Sequence, residues 1–571
     1  MVLPGTDLLR TGIRFSAVSA LQERSSSAMM HFDPLAQKYP SQRYPIYAAG
    51  GMVNCSSPMA AAAGLDALRK GGNAMDAAVA AAAALTVVEP VSNGLGSDAF
   101  ALIWSEKDKR LYGLNSSGPA PQAISAERVL ADHKDVNGKM PTHGWTPVTV
   151  PGAVKAWAEI TGRFGNLSLR ENLQQAIHYA RDGYPCAPLL SWLWKRSFDR
   201  YRTGLQGPEF QPWFTTFTNN GRPYEAGELI KLPDHADTLA EIGETNADSF
   251  YKGSLARQID AQSRAFGGYL RYEDLAGYEA QWVDPIHVHY RGYDVCEIPP
   301  NGQGIAALMA LNILKEFSFG ERERDSVETA HLQIEAMKLA FADAFHYVTD
   351  PAHMDVLPAQ LLDPAYGAAR AKEIGPFAQH REAGDLPASG TVYLCCADAF
   401  GNMVSYIQSN YMGFGSGIVV DGTGIALQNR GADFSLDPKH VNVLRPGKRT
   451  YHTIIPGFLM KEGAPVGPFG VMGGYMQPQG HVQVVMNYVD FHLDPQQALD
   501  APRWQWRRDG KVAVETRFDS NIARALARKG HAILTELDTT QFGRGQMIVR
   551  LPGGVLAGGT ESRTDSNIAC F

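Results

Sequence analysis

The sequence predicts a mixed α/β (α+β) protein in which a helix-rich first part meets a strand-rich second part near residue 391. Residues 125 to 290 carry mostly helical periodicity. After residue 391 the pattern turns to β-branched and aromatic runs separated by glycine loops, at 413–417, 422–424 and 473–474. The chain is 571 residues long, 44% hydrophobic and 19% charged, an ordinary globular composition with length enough for a large core. No internal repeat or low-complexity linker separates the two parts, so one interlocked fold suits the pattern as well as two domains do.

Composition also narrows the function. The net charge is −7 and the isoelectric point is near 6.2. No basic face stands out, so nucleic acid and anionic membranes are poor partners. Six cysteines in this length make no disulfide scaffold. Cys395 and Cys396 fall on opposite faces of one predicted strand, and no C-x-x-C occurs. Reduced thiols and a cytoplasmic location are the expectation. Residues 1–43 carry scattered charges (Asp7, Arg10, Arg14, Glu23, Arg24) and no apolar run of signal-peptide length, and are expected to be a poorly ordered extension. Met29 or Met30 would serve as a start as well as Met1. No later stretch reaches the roughly 20 apolar residues of a membrane span.

Taken in order, Ile46 to Val53 reads as a first strand. Ser57-Pro58 places an N-cap before a proline at the first helical position, and Met59 to Lys70 follows as an amphipathic helix ended by Gly71-Gly72. Asn73 caps a second helix, from Ala74 to near Val87, whose alanine content demands close packing; Glu89-Pro90 stops it. A glycine loop, Ser92 to Asp98, precedes a hairpin-like pair, Ala99 to Trp104 and Lys109 to Leu114. Ala153 to Phe164 and Leu169 to Asp182 are the clearest helices of the next region, while Trp192, Trp194 and Trp213 fall in a less regular stretch. His287 and His289 share one face of a strand (Pro285 to Tyr290), which Tyr293 to Ile298 follows. With no carboxylate or cysteine at a partnering distance, they do not read as a metal site. Helices follow at Ile305 to Phe317 and Thr329 to Tyr347. Residues 352 to 390 carry few regular signals. The last helix-like runs are Asp494 to Ala501 and Asn521 to Lys529.

The chain is organised around Gly390 to Asp398. Val392, Leu394 and Cys396 fall on one face of a strand and Tyr393 and Cys395 on the other. Asp398 to Asn402 supplies turn chemistry, and Met403 to Ser409 returns as a partner strand. The segment Asp385 to Gly390 in front is loop-like. Cleavage between Gly390 and Thr391 would give Thr391 a hydroxyl nucleophile and a free α-amine. With an ordinary pKa of roughly 7.7–8.0, that amine serves as the base a hydroxyl needs. The same hydroxyl makes the cut if it attacks the Gly390 carbonyl to form an ester that water opens. On its own, a Gly-Thr pair is more often just a strand start. Gly413 to Gly417 lacks the GK[ST] or strand–GxGxxG–helix context of a nucleotide loop.

Gly71 to Ala80, Val88-Glu89-Pro90, Glu335 to Asp343, Thr391 with Asp398 and Gly401-Asn402, Asp433-Phe434-Ser435 and Gly473-Gly474 occur in an order that resembles the γ-glutamyltransferases. These are N-terminal-nucleophile hydrolases, and the resemblance runs from Tyr47 to Asp565. It implies a four-layer αββα sandwich made as one precursor. Residues 44–390 would form the large (α) subunit and 391–571 the small (β) subunit, both parts of one interlocked domain. Thr391 Oγ would attack an amide while its own α-amine relays the proton. Water or an acceptor amine would then release the acyl group. Backbone N–H groups of Gly473 and Gly474 would form the oxyanion hole, where one fixed donor is worth about 3–4 kcal/mol. Ser409 would hydrogen-bond the nucleophile, and Asp433 would receive the donor's amino group.

The departures from the family pattern fall in the donor pocket. Ser117 stands where the resemblance places an arginine for the donor's α-carboxylate, which removes a bidentate pair. His452 and Thr453 replace paired serines, and Tyr411 and Arg430 replace smaller polar residues. Arg430, Arg449 and His452 would either supply a new anion site or brace the structure. The pattern looks like the divergent branch that includes oxamate amidohydrolase, cephalosporin-type acylases and glutathione-hydrolase-like proteins. The expected function is an autoprocessed hydrolase of a small carboxylate-bearing amide, with oxamate one candidate and a γ-glutamyl or glutaryl amide another. Two alternatives stand beside it: a true glutathione hydrolase with transfer to an acceptor, and an uncleaved non-catalytic binding protein. No metal or organic cofactor is implied. A homodimer of αβ pairs is one assembly compatible with the sequence.

Overall fold

The computed structural model describes residues 43–133, 138–320, 322–380 and 390–571. The expectations for the N-terminal extension, apart from Arg43, and for the loop just before Gly390 lie outside the described residues. In chain order the strands of two main sheets are β1 (Ile46–Ala48), β2 (Gly51–Cys55), β3 (Asp98–Ser105), β4 (Arg110–Ser116), β5 (Gln281–Val283), β6 (Ile286–Tyr290), β7 (Tyr293–Glu297), β8 (Gly390–Asp398), β9 (Met403–Tyr411), β10 (Gly457–Lys461), β11 (Ala464–Met472), β12 (Arg544–Arg550), β13 (Leu556–Thr560) and β14 (Asn567–Cys570). One sheet runs β14-β2-β8-β9-β3-β4-β5 and the other β1-β13-β12-β11-β10-β7-β6. Every pairing in both is antiparallel. The helices that position the site are α1 (Pro58–Arg69), α2 (Ala74–Val88), α3 (Pro188–Gly204), α4 (Gly304–Leu314), α5 (Val327–Tyr347) and α6 (Met476–Val489).

Side-chain alternation along β8 shows how the layers stack. Val392, Leu394 and Cys396 pack with the alanines of α1 and α2. Tyr393, Cys395 and Ala397 face the second sheet, beside Phe458 and Ile548. A third core joins that sheet, through Phe469 and Val471, to α4, α5 and α6. Three cores between four layers make the αββα sandwich, and they explain why β8 is apolar on both faces. A fully buried aliphatic side chain contributes roughly 1.5–3 kcal/mol, so β8 is anchored from both sides. Residues Gln42–Phe571 form one compact unit.

Local chemistry fixes α2 across this strand. Asn73 Oδ1 accepts from the amides of Met75 (2.9 Å) and Asp76 (3.1 Å), and Asp76 Oδ2 accepts from the Asn73 amide at 2.9 Å, a capping box worth about 1 kcal/mol. Asp398 Oδ2, in the turn after β8, accepts from the Ala74 amide at 2.9 Å. The alanines allow α1 and α2 to touch: a Cβ on Gly64 would lie 2.9 Å from the Ala77 carbonyl.

Several expectations need correction. Ile46 to Val53 is two strands in two different sheets, and the Gly50 amide between them donates to the Phe571 carbonyl at 2.7 Å. Ser57 occupies the N-cap of α1 but makes no capping hydrogen bond. The 169–182 helix breaks at Leu173. Trp192 and Trp194 lie in α3, and Trp213 in the helix Gln211–Thr216. Residues 352 to 390 hold the short helices Pro358–Leu361 and Pro364–Ala371. His289 does have a carboxylate partner, Asp294 directly across the β6–β7 hairpin at 3.0 Å. No helix among the described residues is long and apolar enough to cross a membrane.

Candidate active site

β8 and β9 pair regularly from Val392–Gln408 to Ala397–Met403. The register then shifts, so that Ser409 and Asn410 stand against the single Thr391 before Gly390 meets Tyr411. Such a bulge re-aims side chains at a strand end. Thr391 is fully buried, and its Oγ1 lies 3.0 Å from Ser409 Oγ. The Ser409 hydroxyl donates to the Gly390 carbonyl at 2.8 Å and accepts from the Tyr411 amide at 2.8 Å. A serine has one proton to give, so Thr391 is the donor to Ser409. One hydroxyl therefore bridges the threonine and the carbonyl immediately upstream of it.

Gly473 and Gly474 link β11 to α6 with φ of +142° and +59°. A Cβ on Gly473 would lie 3.1 Å from Gly543 Cα, so the turn requires glycine. Their carbonyls accept from the Met476 and Gln477 amides, both at 3.1 Å. Among the described residues, neither glycine's own N–H donates a hydrogen bond. Gly473, Gly390 and Gly413 border one cavity of about 580 Å³.

The donor-pocket candidates form a separate buried group. Asp433 Oδ1 accepts from Tyr411 Oη at 2.5 Å and from Tyr475 Oη at 3.2 Å, and its Oδ2 lies 3.6 Å from Arg430 Nη1. Arg430 also reaches Asp98 Oδ2 (3.3 Å) and donates to Thr453 Oγ1 (2.7 Å), and it lies 4.3 Å from the centre of the Tyr411 ring. His452 Nε2 donates to the same Asp98 oxygen at 2.9 Å. Burial pushes Asp433 up to about 6, with Arg430 opposing. Burial, aided by Arg430, holds His452 down to about 4. A neutral imidazole bonded to Asp98 carries no charge for an anion, and Arg430 lies between two buried carboxylates, with its Nη2 making no hydrogen bond. Tyr411 keeps φ at +74°, a conformation costly for a bulky residue, with its ring under Arg430 and its hydroxyl on Asp433.

Arg449 stands apart: its Nε donates to the Ser117 carbonyl at 2.9 Å, and it lines another cavity with Arg271. Ser117 is buried and bonded to Asn115. Sequence reasoning missed Asp98, which lies more than 300 residues from its partners, and Tyr475, next to the glycine turn. It also missed Arg544, held by Glu89 at 3.4 Å; the Val88-Glu89-Pro90 motif gave the only signal. Away from this region, His331, Glu335 and His531 bring ligand atoms within 4.8 Å of one another. Those groups are already engaged: the two rings share a 2.8 Å hydrogen bond, and Lys338 sits 2.8 Å from Glu335.

A family profile described as Gamma-glutamyltranspeptidase matches residues 60–571. The chain belongs to the γ-glutamyltranspeptidase family. It is 37% identical to the glutathione hydrolase-like YwrD proenzyme of Bacillus subtilis, covering 90% of this chain and 97% of that protein. It is 32% identical to the oxamate amidohydrolase proenzyme of Klebsiella pneumoniae, covering 91% and 98%. The crystal structure of a cephalosporin acylase from Bacillus halodurans superposes with a TM-score of 0.91 at 57% identity, covering 95% of this chain and 99% of that one. As a member of this family the protein is a hydrolase with the N-terminal-nucleophile fold.

Proposed function

We propose that the protein is a precursor that cuts itself between Gly390 and Thr391, and that the freed Thr391 hydrolyses an amide whose acyl part carries a carboxylate but no α-ammonium. The observation that carries this reading is the bridge from Thr391 Oγ1 through Ser409 Oγ to the Gly390 carbonyl. As Thr391 Oγ adds to the Gly390 carbon, its proton passes to Ser409 and the proton of Ser409 passes to the carbonyl oxygen. Collapse expels the Thr391 nitrogen as an amine and leaves an ester between Gly390 and Thr391 Oγ. Water opens the ester, giving a Gly390 carboxylate and a Thr391 with a free α-amine and hydroxyl. The large segment, 44–390, and the small one, 391–571, would stay together because β8 is embedded between layers that both segments supply.

On substrate, the α-amine takes the Thr391 hydroxyl proton, Oγ attacks the amide carbonyl, and the amine leaves with that proton. The two unengaged N–H groups at Gly473 and Gly474 suit the oxyanion. Water then releases the acid. The acyl preference follows from Asp433. Its Oδ1 already accepts two tyrosine hydroxyls, and its Oδ2, which makes no hydrogen bond, lies 3.6 Å from the Arg430 guanidinium, so a donor ammonium would have to share that oxygen with a cation already in place. This favours oxamate-type or glutaryl amides over γ-glutamyl ones, in keeping with the similarity to proteins named oxamate amidohydrolase and cephalosporin acylase. The test is the intact mass of the purified protein beside its Thr391→Ala variant, with ammonia release from oxamate, glutamine and glutaramate on the same samples. Two fragments split at Gly390–Thr391 in the parent, one chain in the variant, and turnover of oxamate or glutaramate above glutamine support the reading. One uncut, inactive parent chain overturns it in favour of a binding protein, and a preference for glutamine overturns the acyl assignment.

A further inference from the structure

The cavity beside Gly390 is strongly cationic. Arg196 and Arg200, one turn apart on α3, line it together with Arg507, Arg508 and Arg544; the acidic lining residue is Asp509. Asp509 is itself paired with Lys511 at 3.1 Å. Three distant segments thus place guanidinium groups around one space. Arg196 and Arg507 have protein carboxylates nearby, Asp538 at 3.6 Å and Glu536 at 3.0 Å. Arg200 forms no ion pair among the described residues and is exposed on the wall. Its guanidinium is near Gly413: a Cβ there would lie 3.6 Å from Arg200 Nη2, and Gly413 in turn packs against Gly390. Arg544 is 6% exposed, and its Nε makes no hydrogen bond. Its Nη1 is held by Glu89 at 3.4 Å, which fixes the guanidinium on the cavity wall, where a positioned charge can pair with an incoming anion.

We propose that this cavity is an anion subsite in which Arg200 and Arg544 hold a carboxylate of the substrate remote from the reacting carbonyl. The proposal rests on the amide-hydrolase reading above and says where its carboxylate is recognised. In the buried group around Asp433 the carboxylates already face a guanidinium and an imidazole, whereas the arginine-lined space is open and borders Gly390, beside the bond that Thr391 attacks. Arg200, on α3, and Arg544, at the start of β12, line the same space from separate elements, which suits a carboxylate held by two guanidinium groups better than one held by a single surface charge. The remote carboxylate has two sources, the acyl part or the leaving amine, and the same charge arrangement serves either.

Two measurements test it. The first needs no catalysis: calorimetric binding of glutarate to the uncut Thr391→Ala chain, beside the same chain carrying Arg200→Gln. Glutarate binding that weakens at least about tenfold in the double variant, as loss of a charge-assisted pair requires, supports the subsite. Binding that is absent or unchanged overturns it. The second compares glutaryl-p-nitroanilide, N-butyryl-4-aminobenzoate and uncharged butyryl-p-nitroanilide in the parent and in the Arg200→Gln and Arg544→Lys variants. KM rising more for one charged amide than for the uncharged one, with kcat moving less, supports the subsite and names the side that carries the charge. A uniform change across all three overturns it. A chain that binds glutarate through Arg200 but turns over no amide retains the subsite and refutes the enzyme reading. The reverse outcome does the opposite, so the two failures are distinct.

Discussion

Two charged regions flank Thr391, and they differ in what their charges do. Around Asp433 the opposite charges are buried against one another: Asp98 and Asp433 face Arg430, His452, Tyr411 and Tyr475, although Asp98 Oδ1, Asp433 Oδ2 and Arg430 Nη2 make no hydrogen bond. Around the cavity at Gly390, arginines from three segments line one open space whose acidic lining residue is Asp509, and Arg200 is exposed there. Buried charges must be compensated in place, because an unpaired one costs several kcal/mol. A site that waits for a ligand leaves that compensation to the ligand. The contrast sets an acid already facing a cation, Asp433, against arginines on other elements that border an open space.

The largest effect expected is at the nucleophile. Thr391→Ala removes both self-cleavage and turnover, with activity falling on the order of 10⁵-fold or more, as for loss of a nucleophile elsewhere; intact mass and amide hydrolysis read both. Next comes Ser409→Ala, which keeps the nucleophile but removes its bridge to the Gly390 carbonyl. Self-cleavage followed by mass over time should slow by roughly 10²-fold; an unchanged rate would show that the bridge is not used.

Asp433→Asn sharpens the comparison itself. If Asp433 is a brace, the variant loses about 2 kcal/mol of stability in denaturant unfolding, while KM for glutaramate moves less than about threefold, or under roughly 0.7 kcal/mol. A KM effect of tenfold or more without a stability loss would return Asp433 to substrate binding. The smallest effect concerns pH. The folded-state value of His452 is near 4, below its ordinary 6.5. Its contribution is therefore complete above about pH 6.5 and is lost as pH falls toward 4. The difference in Tm between the parent and His452→Gln should accordingly shrink from pH 7.5 to pH 4.5. A constant difference would mean that the imidazole does not change charge on unfolding.

Much of the scaffold was legible because it is written locally. The box at Asn73 and Asp76, the alternation of Val392 to Cys396, and the turn at Asp398 each depend on neighbours within a few residues. Motif order then supplied the family, and with it Thr391, Ser409 and the glycine pair. The site's charges were less legible. Arg430 and His452 read as well as anion ligands as they did as braces, because nothing near them in sequence names Asp98 as their partner. Arg196 and Arg200 share a helix face, a signal that was available; Arg507 and Arg544 lie on other segments, and only the fold brings them to the same wall.

The sequence by itself determined the strand that carries Thr391 and the turn residues around it, since periodicity, capping and glycine placement act over short range; the four-layer arrangement was implied by the resemblance that the order of motifs carries. Only the tertiary structure decided which charges are closed off and which are open. Burial and the pairing of groups hundreds of residues apart set that outcome, and neither is encoded in any one stretch of chain.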